Sequence, residues 1–159
     1  MRWADVRIVL DGLSERGVTY WAAGGWGVAA LVGRQTREHR DLDLLVDAEA
    51  MQRCLDLLTE LGYLPETDWL PVRLELAAGH GRWVDVHPVV LDEEGNGVQA
   101  GPDDTTYDYP ASVFTIGHIR DRDVPCLTVA HQRLLHGGYP PREQDLHDLA
   151  QLRRVAPAE

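Results

Sequence analysis

The chain has 159 residues, enough for one domain with a hydrophobic core that needs no disulfide or metal to hold it together. Its formal charge is −11, the wrong overall sign for a protein that binds nucleic acid by neutralising phosphates, and better matched to a cationic small molecule. No apolar run approaches the roughly 18 residues of a membrane span. Met1-Arg2-Trp3-Ala4-Asp5 begins no signal peptide, and Cys54 and Cys126 have neither metal nor disulfide spacing, so reduced thiols in a cytoplasmic protein are expected.

Val6, Val9, Leu10 and Leu13 recur at helical spacing, which predicts an amphipathic helix over 3–16 ended by Gly17. Residues 18–23 read as a short buried strand running into Gly24-Gly25. A helix from Trp26 to Val32 follows, stopped by Gly33. The loop 34–40 carries four candidate cations, Arg34, Arg37, His39 and Arg40. Residues 41–46, Asp-Leu-Asp-Leu-Leu-Val, form the next predicted strand. Asp47 is placed to cap a helix bearing Met51, Cys54, Leu55, Leu58 and Leu61. Pro71–Ala77 and Arg82–Val90 read as a hairpin about Gly79-His80-Gly81, and 92–109 as an acidic, turn-rich loop. Short strands are expected at 113–116 and 124–127. A helix capped by Thr128 should run to His136, and a last helix should open at Pro140-Pro141 with Leu146, Leu149 and Leu152 as its apolar stripe. Asp145, His147 and Asp148 then fall on a solvated face. The whole reads as α+β, a small mixed sheet flanked by helices, with a core domain at 1–127 and a C-terminal helical segment at 128–159 packed on it.

Asp41 and Asp43 carry the chemistry. Residues two apart on a strand point to one side, so both carboxylates face one way, with leucines on the opposite face. Paired, partly buried acids require a compensating cation, either a divalent metal or the arginines just before them. Asp85, in the strand-like run Trp83-Val84-Asp85-Val86-His87, becomes a third carboxylate if its strand lies beside the first. Gly24-Gly25, between a strand and a helix, lets backbone N–H groups approach an anion at the positive end of the helix. Arginine forks suit phosphate oxygens. His87 shares the face of Asp85 and is a structural histidine or a partner of the site.

Residues 24–44, Gly-Gly-Trp-Gly-Val-Ala-Ala-Leu-Val-Gly-Arg-Gln-Thr-Arg-Glu-His-Arg-Asp-Leu-Asp-Leu, resemble the active-site stretch of small antibiotic nucleotidyltransferases. These are the lincosamide and aminoglycoside 2″-nucleotidyltransferases, members of the DNA polymerase β-like nucleotidyltransferase superfamily. Arg82-Trp83-Val84-Asp85-Val86-His87-Pro88-Val89 and His136-Gly137-Gly138-Tyr139-Pro140 leading to Asp145-Leu146-His147-Asp148-Leu149 are similar to further family segments. The chain departs at Ala29, where relatives often carry an acid, so no substrate contact is carried over there.

The resemblance implies the nucleotidyltransferase fold and a phosphorus-group transfer. Asp41, Asp43 and Asp85 would bind Mg²⁺, two ions in the full site, and Asp85 would act as general base. Gly24, Gly25, Trp26, Arg34, Thr36, Arg37 and His39 would meet the nucleotide, an NTP with ATP as first choice, and His87 and Tyr139 the acceptor. That acceptor would be a small hydroxylated compound such as a lincosamide or aminoglycoside, with the acids of 92–108 available to a cationic drug. No nucleic acid or membrane is implied as partner, and the short relatives imply a homodimer. Two alternatives stay open: a protein-modifying enzyme of antitoxin type, and a catalytically silent member that only binds nucleotide or a partner.

Overall fold

The computed structural model describes residues 1–137 and 140–155. Helix α1 (Trp3–Glu15) leads to strand β1 (Tyr20–Ala22), helix α2 (Gly24–Val32) and strand β2 (Asp41–Asp47). A 3₁₀ turn at Ala48–Ala50 opens α3 (Met51–Glu60), with the Asp47 carboxylate accepting from the Glu49 N–H at 3.1 Å. Strands β3 (Leu64–Trp69), β4 (Arg73–Ala78), β5 (Arg82–Leu91), β6 (Gly97–Ala100), β7 (Thr106–Tyr109), β8 (Phe114–Ile119) and β9 (Arg122–Leu127) follow, then α4 (Val129–His136) and α5 (Glu143–Val155).

The described strands form one mixed sheet in the order β3-β4-β5-β2-β1-β9-β8, extended by β6 and β7 beyond the far end of β5. The β2–β5 and β1–β9 pairs are parallel and the rest antiparallel. The mixed α+β architecture agrees with the sequence reading, although the sheet is larger than expected. Strand β3 was not anticipated, and most of the region read as an acidic loop is the β6–β7 hairpin.

One face of the sheet builds the main core. Leu42, Leu44 and Val46 of β2, with Val84 and Val86 of β5, are at most 0% exposed and pack under Val6, Val9, Leu10 and Leu13 of α1 and Cys54 and Leu58 of α3. Burying aliphatic side chains of this size stabilises the fold by about 1.5–3 kcal/mol each. A smaller cluster on the other face joins Leu45, Val89, Tyr109 and Leu127 to Ala23. Strand β2 therefore alternates acid and leucine at its start, then becomes apolar on both faces. This pattern confines the acids to one end of the strand.

Helices α4 and α5 pack on each other and on α2. Thr128 precedes α4 but makes no side-chain cap. In α5 Leu152 is buried and Leu149 half-buried as the leucine spacing predicts, but Leu146 is 56% exposed, and Asp145 and Asp148, at 2% and 0%, share the buried face. The expected solvated acidic face is thus buried, because each acid has found cationic partners. Asp145 accepts from the Arg142 backbone N–H at 2.8 Å and its guanidinium at 3.0 Å, which fixes the helix start at Glu143 and not at the prolines.

Candidate active site

The site forms where β1 hands over to α2. The Ala23 N–H donates to the Asp43 carbonyl at 3.0 Å, so the turn into α2 is pinned beside the Asp43 side chain. Gly24 has φ +53°, and a Cβ there would stand 2.2 Å from Asp43 Oδ2. Both the backbone and the close approach demand glycine. Ala23 supplies no side-chain oxygen to cap α2, so the helix opens toward the carboxylates with uncapped N–H groups and the positive end of its dipole.

Parallel pairing of β2 and β5 sets Asp43 opposite Asp85. His87, two residues on and on the same face, brings Nε2 to 3.8 Å from Asp43 Oδ1 and 3.9 Å from Asp85 Oδ2. One donor atom from each of Asp43, Asp85 and His87 lies within 4.8 Å of the others. Asp41 lies on the same side at the mouth, and its carboxylate accepts from Arg40 at 3.2 Å instead of joining that trio. The three acids predicted from sequence thus occupy one end of two neighbouring strands, and His87 stands with the inner pair.

Two residues that the sequence reading passed over complete the surroundings. Arg73 of β4 pairs with Asp85 at 2.5 Å, and Glu75, opposite Asp85 in the β4–β5 register, is 8% exposed and reaches Arg40 at 3.4 Å. Their signal was the alternation Arg73-Leu74-Glu75 in a strand already expected to pair with that of Asp85. Arg73 does not exhaust the acid: Asp85 Oδ1 is buried with no partner among the described residues. Burial raises the Asp85 pKa above the ordinary carboxylate range and Asp43 adds to it, while His87 and Arg73 oppose. Burial, followed by the charge of Asp43, also raises Asp41. For His87, burial works downward but is outweighed by Asp43 and Asp85, so its pKa is raised. The cluster holds more negative charge than its arginines offset. That is the setting for a hard, oxygen-preferring divalent cation.

The hairpin 97–109 contributes polar order rather than acid. Tyr109 donates its hydroxyl to Gln99 Oε1 at 2.8 Å, and Gln99 Nε2 lies 3.2 Å from His87 Nδ1. Asp92 turns back to the Asn96 N–H at 2.8 Å, and Asp103, Asp104 and Asp108 are exposed.

The expected nucleotide contacts divide. Arg34, Thr36, Arg37 and His39 line an open cleft of about 1060 Å³ together with Arg2 and Arg82. Arg34 is exposed, while Thr36 Oγ1 meets His147 Nε2 at 3.2 Å. His39 is not the cation its place in the loop suggested: it is 4% exposed, and burial with the nearby Arg37 lowers its pKa to about 4. Its ring lies against the first turn of α2, where a Cβ on Gly25 would come within 2.2 Å of Nδ1. Trp26 is a core residue at 1% exposure, closed in by Trp3 and by the His39 ring at 4.7 Å, so it offers a nucleotide no surface. Arg37 is paired with Asp148 of α5, not with the loop's own acids. Tyr139 lies outside the described residues.

Comparison with known proteins bears on this arrangement. The family model described as aminoglycoside-2″-adenylyltransferase matches residues 5–152. A lincosamide resistance protein from Staphylococcus haemolyticus is 37% identical over 147 residues, covering 92% of this chain and 91% of the relative. The crystal structure of the lincosamide antibiotic adenylyltransferase LnuA with lincomycin bound is 35% identical, covers 98% of both chains and superposes with a TM-score of 0.89. That of ANT(2″)-Ia with adenylyl-2″-tobramycin has a TM-score of 0.72 over 95% of this chain and 87% of its own, but at 19% identity this likeness concerns the fold alone.

Proposed function

We infer that this chain, which belongs to the aminoglycoside-2″-adenylyltransferase family, transfers a nucleoside monophosphate from an NTP, ATP first, to a hydroxyl of a lincosamide-type antibiotic and releases pyrophosphate. The observation that carries this reading is the pairing of Asp43 with Asp85 across β2 and β5, beside the open N-terminus of α2. A lincosamide is preferred as acceptor over an aminoglycoside because the lincosamide proteins are 37% and 35% identical over nearly the whole chain, whereas ANT(2″)-Ia is 19% identical.

The donor set fits Mg²⁺. The unpartnered Asp85 Oδ1 and the raised carboxylate pKa values mark charge that the protein itself leaves uncompensated. Asp41, Asp43 and Asp85 would hold the metal, two ions in this reading. When bound, it would offset the negative charge of the phosphoryl oxygens. The protein's own groups do the rest. N–H groups of the first turn of α2 receive phosphate oxygens, with Gly24 and Gly25 leaving room for the approach. Asp85 takes the proton of the acceptor hydroxyl. The hydroxyl oxygen forms a bond to the α-phosphorus as the bond to the bridging oxygen of pyrophosphate breaks. Gln99, held by Tyr109, orients the His87 ring beside both acids. The buried thiols of Cys54 and Cys126 suit a cytoplasmic setting, and a homodimer belongs to the same reading, which sedimentation velocity tests.

The direct test incubates the protein with Mg²⁺, ATP or GTP, and a panel of lincosamides and aminoglycosides, followed by mass spectrometry. A lincosamide gaining one nucleoside monophosphate, with pyrophosphate released, is the expected result. No adduct with any member of the panel overturns the reading, and an adduct on aminoglycosides alone overturns the choice of acceptor.

A further inference from the structure

We propose that Asp148 of α5 is a positioning residue that holds the Arg37 guanidinium against the first turn of α2 as part of the triphosphate-binding surface; this rests on the nucleotide-transfer reading above. The two residues are 111 positions apart, and Asp148 is fully buried. Arg37 Nε donates to Asp148 Oδ1 at 2.9 Å and Nη2 to Oδ2 at 2.5 Å, a bidentate pair that fixes the plane of the guanidinium as well as its place. Nη1 donates to the Glu38 carbonyl at 3.0 Å. Behind the carboxylate, His136 of α4 brings Nε2 to 3.7 Å from Oδ2, while its Nδ1–H donates to the Gln132 carbonyl at 2.8 Å.

What lifts this cluster above a staple between helix and loop is where it points. A Cβ on Gly25 would lie 2.9 Å from Arg37 Nη2, so the guanidinium rests on the first turn of α2, one residue from Gly24, which packs on Asp43. Nη2 donates to Asp148, and among the described residues its second N–H meets no acceptor, so it can serve an anion. A second link from α5, His147 to Thr36, steadies the same loop. A charged, planar donor beside uncapped helix N–H groups is a phosphate-recognising arrangement. An arginine free to sample its rotamers would meet the phosphates far less often in register. The last helix, which carries none of the acids of the site, would thereby set nucleotide affinity.

The test measures steady-state transfer with the NTP and the acceptor varied separately, for wild type, Asp148→Asn, Arg37→Gln and the double variant. Asp148→Asn keeps the shape and loses the charge. It should raise KM for the NTP on the order of tenfold, leave KM for the acceptor within about twofold, and give a double variant no worse than Arg37→Gln alone. In the ¹⁵N spectrum, the Arg37 Nε–H resonance should move on adding Mg-ATP to wild type and stay put in Asp148→Asn. Should Asp148→Asn fail to fold, Arg37→Lys, which keeps charge but loses the fork, must show the same rise. Unchanged KM for the NTP in folded variants, or equal losses toward both substrates, overturns the proposal. Absence of transfer by wild type overturns it together with the reading it rests on, so the two failures are told apart.

Discussion

Two groups of buried acid in this protein have opposite fates. At the end of β2 and β5, Asp41, Asp43 and Asp85 stand together with Asp85 Oδ1 unpartnered, and the pKa values of Asp41 and Asp85 are raised. On α5, Asp148 is buried more deeply, yet its pKa is lowered. Burial pushes that value up, but hydrogen bonds from His136 and Arg37 push it down further. The difference shows that burial does not by itself mark a functional carboxylate. An acid whose charge the fold has already offset can act only through the groups it holds in place, as Asp148 holds Arg37. Acids left under-compensated and close together are destabilising in the free protein, and they invite a ligand that the chain does not supply.

The two groups should respond in opposite ways to losing their charge. Asp85→Asn should cost transfer on the order of a thousandfold, the scale of removing a general base, without lowering stability in the absence of metal. Asp41→Asn should raise the melting temperature of the metal-free protein. The sign follows from the raised pKa: the ionised carboxylate is costlier in the fold than in the unfolded chain, and the cost is relieved only as pH falls through the folded value. Asp148→Ala should do the reverse in a thermal melt, losing about 3 kcal/mol, since it strips a buried partner from two cations. Calorimetry on the three variants in chelator decides the matter: a stabilised Asp148→Ala or a strongly destabilised Asp41→Asn would undo the contrast.

The two groups also differ in how far they can be read from sequence. The β1–α2–β2 unit, the Asp-x-Asp spacing and the pairing of β2 with the strand of Asp85 are local patterns, and period-2 alternation with a glycine turn exposes them. Asp148 could not be read this way, because the arginine that makes its burial tolerable lies on another loop across the fold. Leucine spacing therefore places Leu149 and Leu152 but puts Leu146 inward in place of Asp145 and Asp148. Strand β3 was missed for a related reason: it is an edge strand, mostly exposed, with Pro65 inside it, and its order comes from β4 rather than from its own pattern. Strands β6 and β7 are only four residues each, between glycines, prolines and acids that signal turns. Within the site, the acids were legible from spacing, whereas the burial of Trp26 and His39 depends on contacts with α1 and α2 that spacing does not encode.

Gly25→Ala perturbs the helix side of the site. Its Cβ would press on His39 Nδ1 and Arg37 Nη2, and the buried His39 ring cannot retreat past Trp26. The variant should weaken NTP binding by about 10- to 100-fold through misplacement of the first turn of α2, with less loss of stability than Asp148→Ala. Gly79→Ala, where an added Cβ meets nothing within 4 Å, is the control and should leave both affinity and melting temperature near wild type. Titration calorimetry with Mg-ATP would show the two glycines parting, and equal affinities would mean that the triphosphate does not lie on this turn.

The smallest effect concerns His136, the outer member of the compensated group. Its hydrogen bond to Asp148 raises its pKa, with burial opposing and the Gln132 carbonyl assisting. A histidine whose folded pKa exceeds its unfolded value of about 6.5 contributes stability that is complete below that pH and fades as pH climbs through the folded value. Asp148 keeps its fork with Arg37 throughout, so the loss is partial, about 2 °C or less in melting temperature. His136→Gln should remove that decline above pH 6.5 while leaving the acid side of the curve, where Asp148 itself protonates, in place. Melting curves from pH 5 to 9 on the two proteins test this. A decline that survives the substitution would assign it to another group.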